Sequence, residues 1–95
     1  MQPKFIARIL YTTLTIMSNK INNTNIYDTV RHNIRKYRKL KQMTQQELAD
    51  AAELSHGYIR EIESLNMGIT FSLDAVEKIA NALEIEVKLL FEETK

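Results

Sequence analysis

The sequence predicts an all-α fold in a single domain, and three observations carry that prediction. Gly (2) and Pro (1) are scarce among 95 residues rich in Leu, Ile, Ala, Lys and Glu, a composition that favours helices. From residue 28 to residue 92 the apolar side chains recur at spacings of three and four, the helical period. Within that span, residues 44–63 (TQQELADAAELSHGYIREIE) hold two helix starts separated by very few residues. Two helices joined so tightly must cross steeply, which is the spacing of a helix-turn-helix.

Residues 1–27 are the least patterned. Phe5 to Met17 is apolar but carries Arg8, and it is short of the roughly 20 residues that a membrane-spanning helix needs. No Ala-x-Ala-like cleavage site follows it. Ser18 to Asn25 is polar and Asn-rich, so it reads as a linker. The expectation is a loosely packed or disordered N-terminal extension over 1–27, and Met17 is itself a candidate start of translation.

The first helix is predicted over Asp28 to Lys41, with Asp28 as its N-cap or first-turn acid. Val30, Ile34, Tyr37 and Leu40 form its apolar stripe. Arg31, Arg35, Lys36, Arg38, Lys39 and Lys41 crowd the rest of the surface. A solvated charged face and a face turned toward phosphates both fit that crowding. Thr44-Gln45-Gln46-Glu47 is a capping box, and Leu48, Ala49 and Ala52 share one face of the helix it starts. Ser55 caps the next helix, whose buried side is expected at Ile59, Ile62 and Leu65. Positions 64–71 form a loop in which Gly68 accepts positive φ. Ser72 caps a helix with Leu73, Val76, Ile79, Ala80 and Leu83 inward. A last short helix from Val87 to about Glu92 offers Val87, Leu90 and Phe91 to the core.

Cysteine and tryptophan are absent and the formal net charge is +1. Disulfides and thiolate metal sites are therefore excluded, and any nucleic-acid affinity must come from local charge. That charge is polarised along the chain, basic ahead of residue 44 and acidic from Asp74 onward. No His or carboxylate cluster has metal spacing, and no Gly-rich phosphate loop is present. Nor does a nucleophile–base or carboxylate pair stand in a motif, so no enzyme, cofactor or small-molecule substrate is expected.

Residues from about 28 to 92 resemble the lambda-repressor/Cro-like helix-turn-helix family, also called the XRE family of bacterial and phage regulators. The resemblance rests on Ile34 to Arg38 (IRKYR), Met43 to Ala49 (MTQQELA), Leu54 to Glu63 (LSHGYIREIE) and Ser72 to Leu83 (SLDAVEKIANAL), in the family's order and spacing. It implies a compact five-helix domain over 28–92 with counterparts at 27–41, 45–53, 56–65, 73–83 and 87–92, followed by a tail at 93–95. By the same resemblance Gln45 contacts a DNA phosphate and braces the recognition helix. Ser55, His56, Gly57, Tyr58, Arg60 and Glu61 match the DNA-facing side of that helix. Arg38 and Glu63 match a structural ion pair between the first and third helices.

The chemistry of those positions fits base reading. His56 can donate to guanine acceptors, Arg60 suits guanine or a phosphate, and Glu61 can accept from cytosine N4 or face solvent. Tyr58 can reach a phosphate or pack on the helix flank. The chain also departs from the family. Glu53 and Glu84 stand where helix-ending glycines are usual, at roughly 1 kcal/mol for a left-handed non-glycine residue. Gly57 leaves one customary reading position without a side chain, and the loop at 64–71 is longer than the commonest version.

The resemblance implies a cytoplasmic, sequence-specific regulator of transcription that binds double-stranded DNA, a repressor acting by operator occupancy as a homodimer. The alternative is a helical protein-interaction module, an antitoxin or anti-regulator, with weak DNA binding or none. No membrane association is expected of either.

Overall fold

The structure, a computed structural model, describes residues 25–65 and 68–93. Among them are four α-helices, α1 (Ile26–Leu40), α2 (Gln45–Ala52), α3 (His56–Glu63) and α4 (Leu73–Leu83), and a closing 3-10 helix, Val87–Phe91. The extension expected over 1–27 lies outside the described residues except for its last three, which belong to α1 and its cap.

Helix α1 starts earlier than the acid at Asp28 suggested. The Asn25 side chain accepts from the Tyr27 amide at 2.7 Å, so Asn25 is the N-cap and Asp28 falls in the first turn, where its charge meets the positive end of the helix dipole. Helix α2 opens with both halves of the capping box. The Glu47 amide donates to Thr44 Oγ1 at 3.0 Å and the Thr44 amide to Glu47 Oε1 at 2.9 Å. Ser55 and Ser72 start α3 and α4 in the same way, accepting from the Tyr58 and Ala75 amides at 3.1 Å each.

The helix ends share one geometry. Gln42, Glu53 and Glu84 all have φ near 58°. At each, the following amide reaches back to a carbonyl in the preceding helix: Met43 to Arg38, Leu54 to Ala49 and Ile85 to Ala80, at 2.9–3.0 Å. These are Schellman closures, normally given to glycine. Here three side-chain-bearing residues adopt the left-handed conformation because the chain must turn sharply there to return to the core. Gly68 has φ +57° as its residue type allows.

Helix α2 packs on α3 and α4, while α1 lies across α3, α4 and the 3-10 helix. Ile34, Leu48, Ala49, Ile59, Ile62, Ile79, Ala80, Leu83 and Leu90 are fully enclosed between them, and each large side chain so buried stabilises the fold by about 1.5–3 kcal/mol. Ala49 and Ala52 supply the close approach of α3 to α2. Asn33, buried in α1, donates to the carbonyls of Leu90 and Glu92 at 2.9 and 2.7 Å and so ties down the end of the chain.

Four apolar expectations are corrected. Leu65 (68 % exposed), Leu73 (74 %) and Leu40 (67 %) point away from the core. Leu40 and Leu73 are terminal residues of α1 and α4, and Leu65 lies beyond the Ser64 cap of α3. Val87 is 37 % exposed as the first residue of the last segment, a 3-10 helix, while Leu90, one turn on along the same face, is fully buried. The charged face of α1 is corrected too. Arg31, expected on the basic surface, is 2 % exposed and belongs to the core's edge.

Candidate nucleic-acid interface

Helix α3 has two sides of opposite character. Ile59 and Ile62 are fully buried and Glu63 is 5 % exposed. Arg60 and Glu61 are exposed, while His56, Gly57 and Tyr58 are half-buried along the first turn. The Tyr58 ring is half-buried and packs against the core's margin. Ser55 stays exposed, but its hydroxyl oxygen is engaged as the N-cap.

Glu63 fixes this helix to the rest of the domain. Arg38 donates from Nε to Glu63 Oε2 at 2.7 Å and from Nη2 to Oε1 at 2.9 Å. The side chains are 11 % and 3 % exposed, so the pair is a two-pronged bond shielded from water, the geometry in which guanidinium and carboxylate match best. The third arm of Arg38, Nη1, donates to the Met43 carbonyl at 2.8 Å and holds the turn before α2. Gln45, the first residue of α2, donates from Nε2 to the same Glu63 Oε1 at 3.2 Å. One carboxylate thereby joins α1, α2 and α3.

Arg31 is the site residue that sequence reasoning missed. Its Nη1 donates to the carbonyls of Ile62 (3.1 Å) and Ser64 (3.2 Å), and its Nη2 to that of Ile69 (3.1 Å). Its Nε meets Asp28 at 3.0 Å, and the guanidinium lies 5.8 Å from the centroid of Phe71. A positive group at the C-terminal end of α3 satisfies carbonyls that the helix leaves open and opposes its dipole. The available signal was position: Arg31 lies three residues before buried Ile34 and seven before Arg38, on the face of α1 that turns inward.

Beside the Arg38–Glu63 pair is an open cleft of about 270 Å³ lined by Arg35, Arg38, Gln45, Arg60, Glu63 and Ser64. It places the exposed α1 residue Arg35 next to Gln45 and Arg60. A Cβ built on Gly57 would come 3.9 Å from the Arg60 guanidinium, an ordinary contact, so Gly57 leaves open space at the front of α3 rather than avoiding a clash. At the α2 entrance the Glu47 carboxyl is held below its ordinary pKa, chiefly by the Thr44 amide and then by the Thr44 hydroxyl. Among the described residues no His, Asp or Glu group is arranged to hold a metal ion, and no helix is long and apolar enough to cross a membrane.

These features can be set beside known proteins. A search of curated protein sequences returns no match. Among solved structures, the restriction-modification controller protein C.AhdI from Aeromonas hydrophila is 29 % identical, with 68 % of this chain and 96 % of that one covered at a TM-score of 0.62. A hypothetical transcription factor, NHTF from Neisseria, is 26 % identical over 73 % of this chain and 77 % of its own, at a TM-score of 0.67. The controller C.Esp1396I, solved bound to a 25 base pair operator site, is 29 % identical over 72 % of this chain and 87 % of its own, at a TM-score of 0.64. The helix-turn-helix family model matches residues 34–90, from the buried stripe of α1 to the end of the core. The chain belongs to the helix-turn-helix family, of the XRE type that its motifs resemble.

Proposed function

We propose that this protein is a sequence-specific, double-stranded-DNA-binding regulator of transcription that represses by occupying an operator, acting in the cytoplasm as a homodimer. The observation that carries the reading is the division of α3: Ile59 and Ile62 are wholly buried while Arg60 and Glu61 face solvent. Such a helix can enter a major groove with its N-terminal outward residues against base edges. In that pose His56 reaches guanine acceptors, Arg60 a guanine or a phosphate, Glu61 a cytosine amino group, and Gly57 leaves room for a thymine methyl. Ser55 and Tyr58 stand at the phosphate margin, and Gln45 contacts a phosphate from the start of α2, where amides are open.

The two-pronged Arg38–Glu63 pair and the Gln45–Glu63 bond support the bracing role assigned to those residues. They leave Arg38 and Glu63 as structural groups rather than DNA ligands. The relative C.Esp1396I bound to its operator supports both the partner and the mode. The helix-turn-helix domain is assigned to 28–92, in keeping with the described elements from α1 to the 3-10 helix. Two copies would read half-sites about 34–36 Å apart.

Selection from a randomised duplex pool across a salt series tests the reading. Enrichment of one pseudo-palindromic site with steep salt dependence is the expected result. Salt-dependent binding without an enriched site, or no binding by folded protein, would overturn it.

A further inference from the structure

The basic cleft beside the ion pair has a chemistry that the helix-turn-helix alone does not account for. Of the groups lining it, Arg35, Arg38 and Arg60 are cations and Glu63 is an anion. Glu63 is consumed by Arg38 at 2.7 Å, so this neutral pair forms the floor and the charges of Arg35 and Arg60 remain in surplus at the rim. Both are exposed, and neither has an ion-pair partner among the described residues. Two guanidiniums converging on one open concavity repel each other unless an anion lies between them. The Gln45 and Ser64 positions at the edge add polar groups rather than carboxylates.

We propose that this cleft seats one backbone phosphodiester of the bound duplex, held between Arg35 of α1 and Arg60 of α3, and that Arg35 is therefore a DNA ligand from outside the helix-turn-helix. The inference rests on the DNA-binding reading above. The ligand is a phosphate diester and not a base: planar guanidinium forks match tetrahedral oxyanions, and the cleft is walled by α1 as well as α3, with neither His56 nor Glu61 in its lining. Held there, the phosphate fixes the depth at which α3 enters the groove. Arg60 is thus assigned chiefly to the phosphate, and His56 and Glu61 are left as the base readers.

Arg35→Gln, Arg60→Gln and the double variant distinguish this seat, because both positions are exposed and leave the fold intact. Each is titrated against the enriched duplex and a scrambled duplex over a salt series. The expected result for Arg35→Gln is a loss of about tenfold in affinity by the same factor on both duplexes, with the log–log salt slope smaller by about 1. In the double variant the two losses are expected to depart from their product by threefold or more, because residues sharing one ligand are coupled. Wild-type affinity and slope in Arg35→Gln, or losses that multiply strictly, would overturn the shared seat while leaving the DNA-binding reading intact. Absence of DNA binding by all the proteins, wild type included, would remove that reading and the seat with it.

Discussion

Arg31 donates to the carbonyl of Ile62 at 3.1 Å from a side chain 2 % exposed, so the C-terminal end of α3 is tied to the first turns of α1. Seven residues later on the same face, Arg38 grips Glu63. Two arginines two turns apart therefore set where α3 ends, and the rest of that helix projects from this anchor. The placement of the outward face of α3 therefore follows from α1.

Replacing Arg31 with Met should be among the most damaging single changes in the chain. It strips hydrogen bonds from the carbonyls of Ile62, Ser64 and Ile69, and buried unsatisfied groups cost about 1–3 kcal/mol each. A loss of about 3 kcal/mol or more is expected in urea unfolding, a large share of what a domain this small holds. Arg31→Lys, which keeps the charge but loses the fork, should fall between the two. A midpoint unchanged in both would contradict the anchoring role.

For the Arg38–Glu63 pair the expected pattern is asymmetric. Either single change, Arg38→Met or Glu63→Leu, leaves a buried charge unpaired and should cost about 3–5 kcal/mol. The double variant should recover most of that loss, since an apolar pair of similar volume avoids desolvating two charges. Thermal unfolding of the three proteins checks this, and losses that simply add would refute it.

The left-handed residues give a prediction of opposite sign. Glu53 holds φ 58° as the closing residue of α2, with its side chain exposed. Glu53→Gly should raise stability by about 0.5–1 kcal/mol, because the strain relieved exceeds the extra entropy of the unfolded glycine. Glu84→Gly should act alike at the end of α4, where the same φ is found. A lowered melting temperature in both would count against strain at these turns.

Acid should loosen the start of α2 before the core fails. The Glu47 carboxyl is held below its ordinary pKa by the Thr44 amide and hydroxyl. A depressed folded-state value means a contribution present above the unfolded pKa of about 4.3 and lost as pH falls through the lower folded one. Protection of the Thr44 and Glu47 amides against hydrogen exchange, corrected for the intrinsic slowing of exchange as pH is lowered, should fall in that window for wild type. In Glu47→Gln, which keeps a neutral partner for the Thr44 amide, the pH-linked step should vanish.

Much of this was legible in the sequence because it is local. The capping box at Thr44–Glu47, the Ser55 and Ser72 caps and the burial of Ile59 and Ile62 depend on spacing within one helix. The left-handed turns at Glu53 and Glu84 were legible from the glycines that the family places there. What could not be read depends on distant partners. Arg31 looks like its basic neighbours until the Ile62, Ser64 and Ile69 carbonyls, more than thirty residues away, are brought beside it. Leu65 and Leu73 satisfy the apolar period yet are largely exposed. The closing helix has the composition of an α-helix, and the Asn33 bonds to Leu90 and Glu92 accompany its tighter form. The cleft joining Arg35 to Arg60 belongs to the same class, since it exists only where α1 crosses α3.

Whether the outward face of α3 reads DNA sequence is tested by repeating the duplex selection with His56→Ala and Glu61→Ala. Each variant is expected to fold and to enrich a site whose base preference is relaxed at a position in each half-site, with a cost of about 1–3 kcal/mol there against the wild-type sequence. An enriched site identical to the wild-type one in both variants would contradict it.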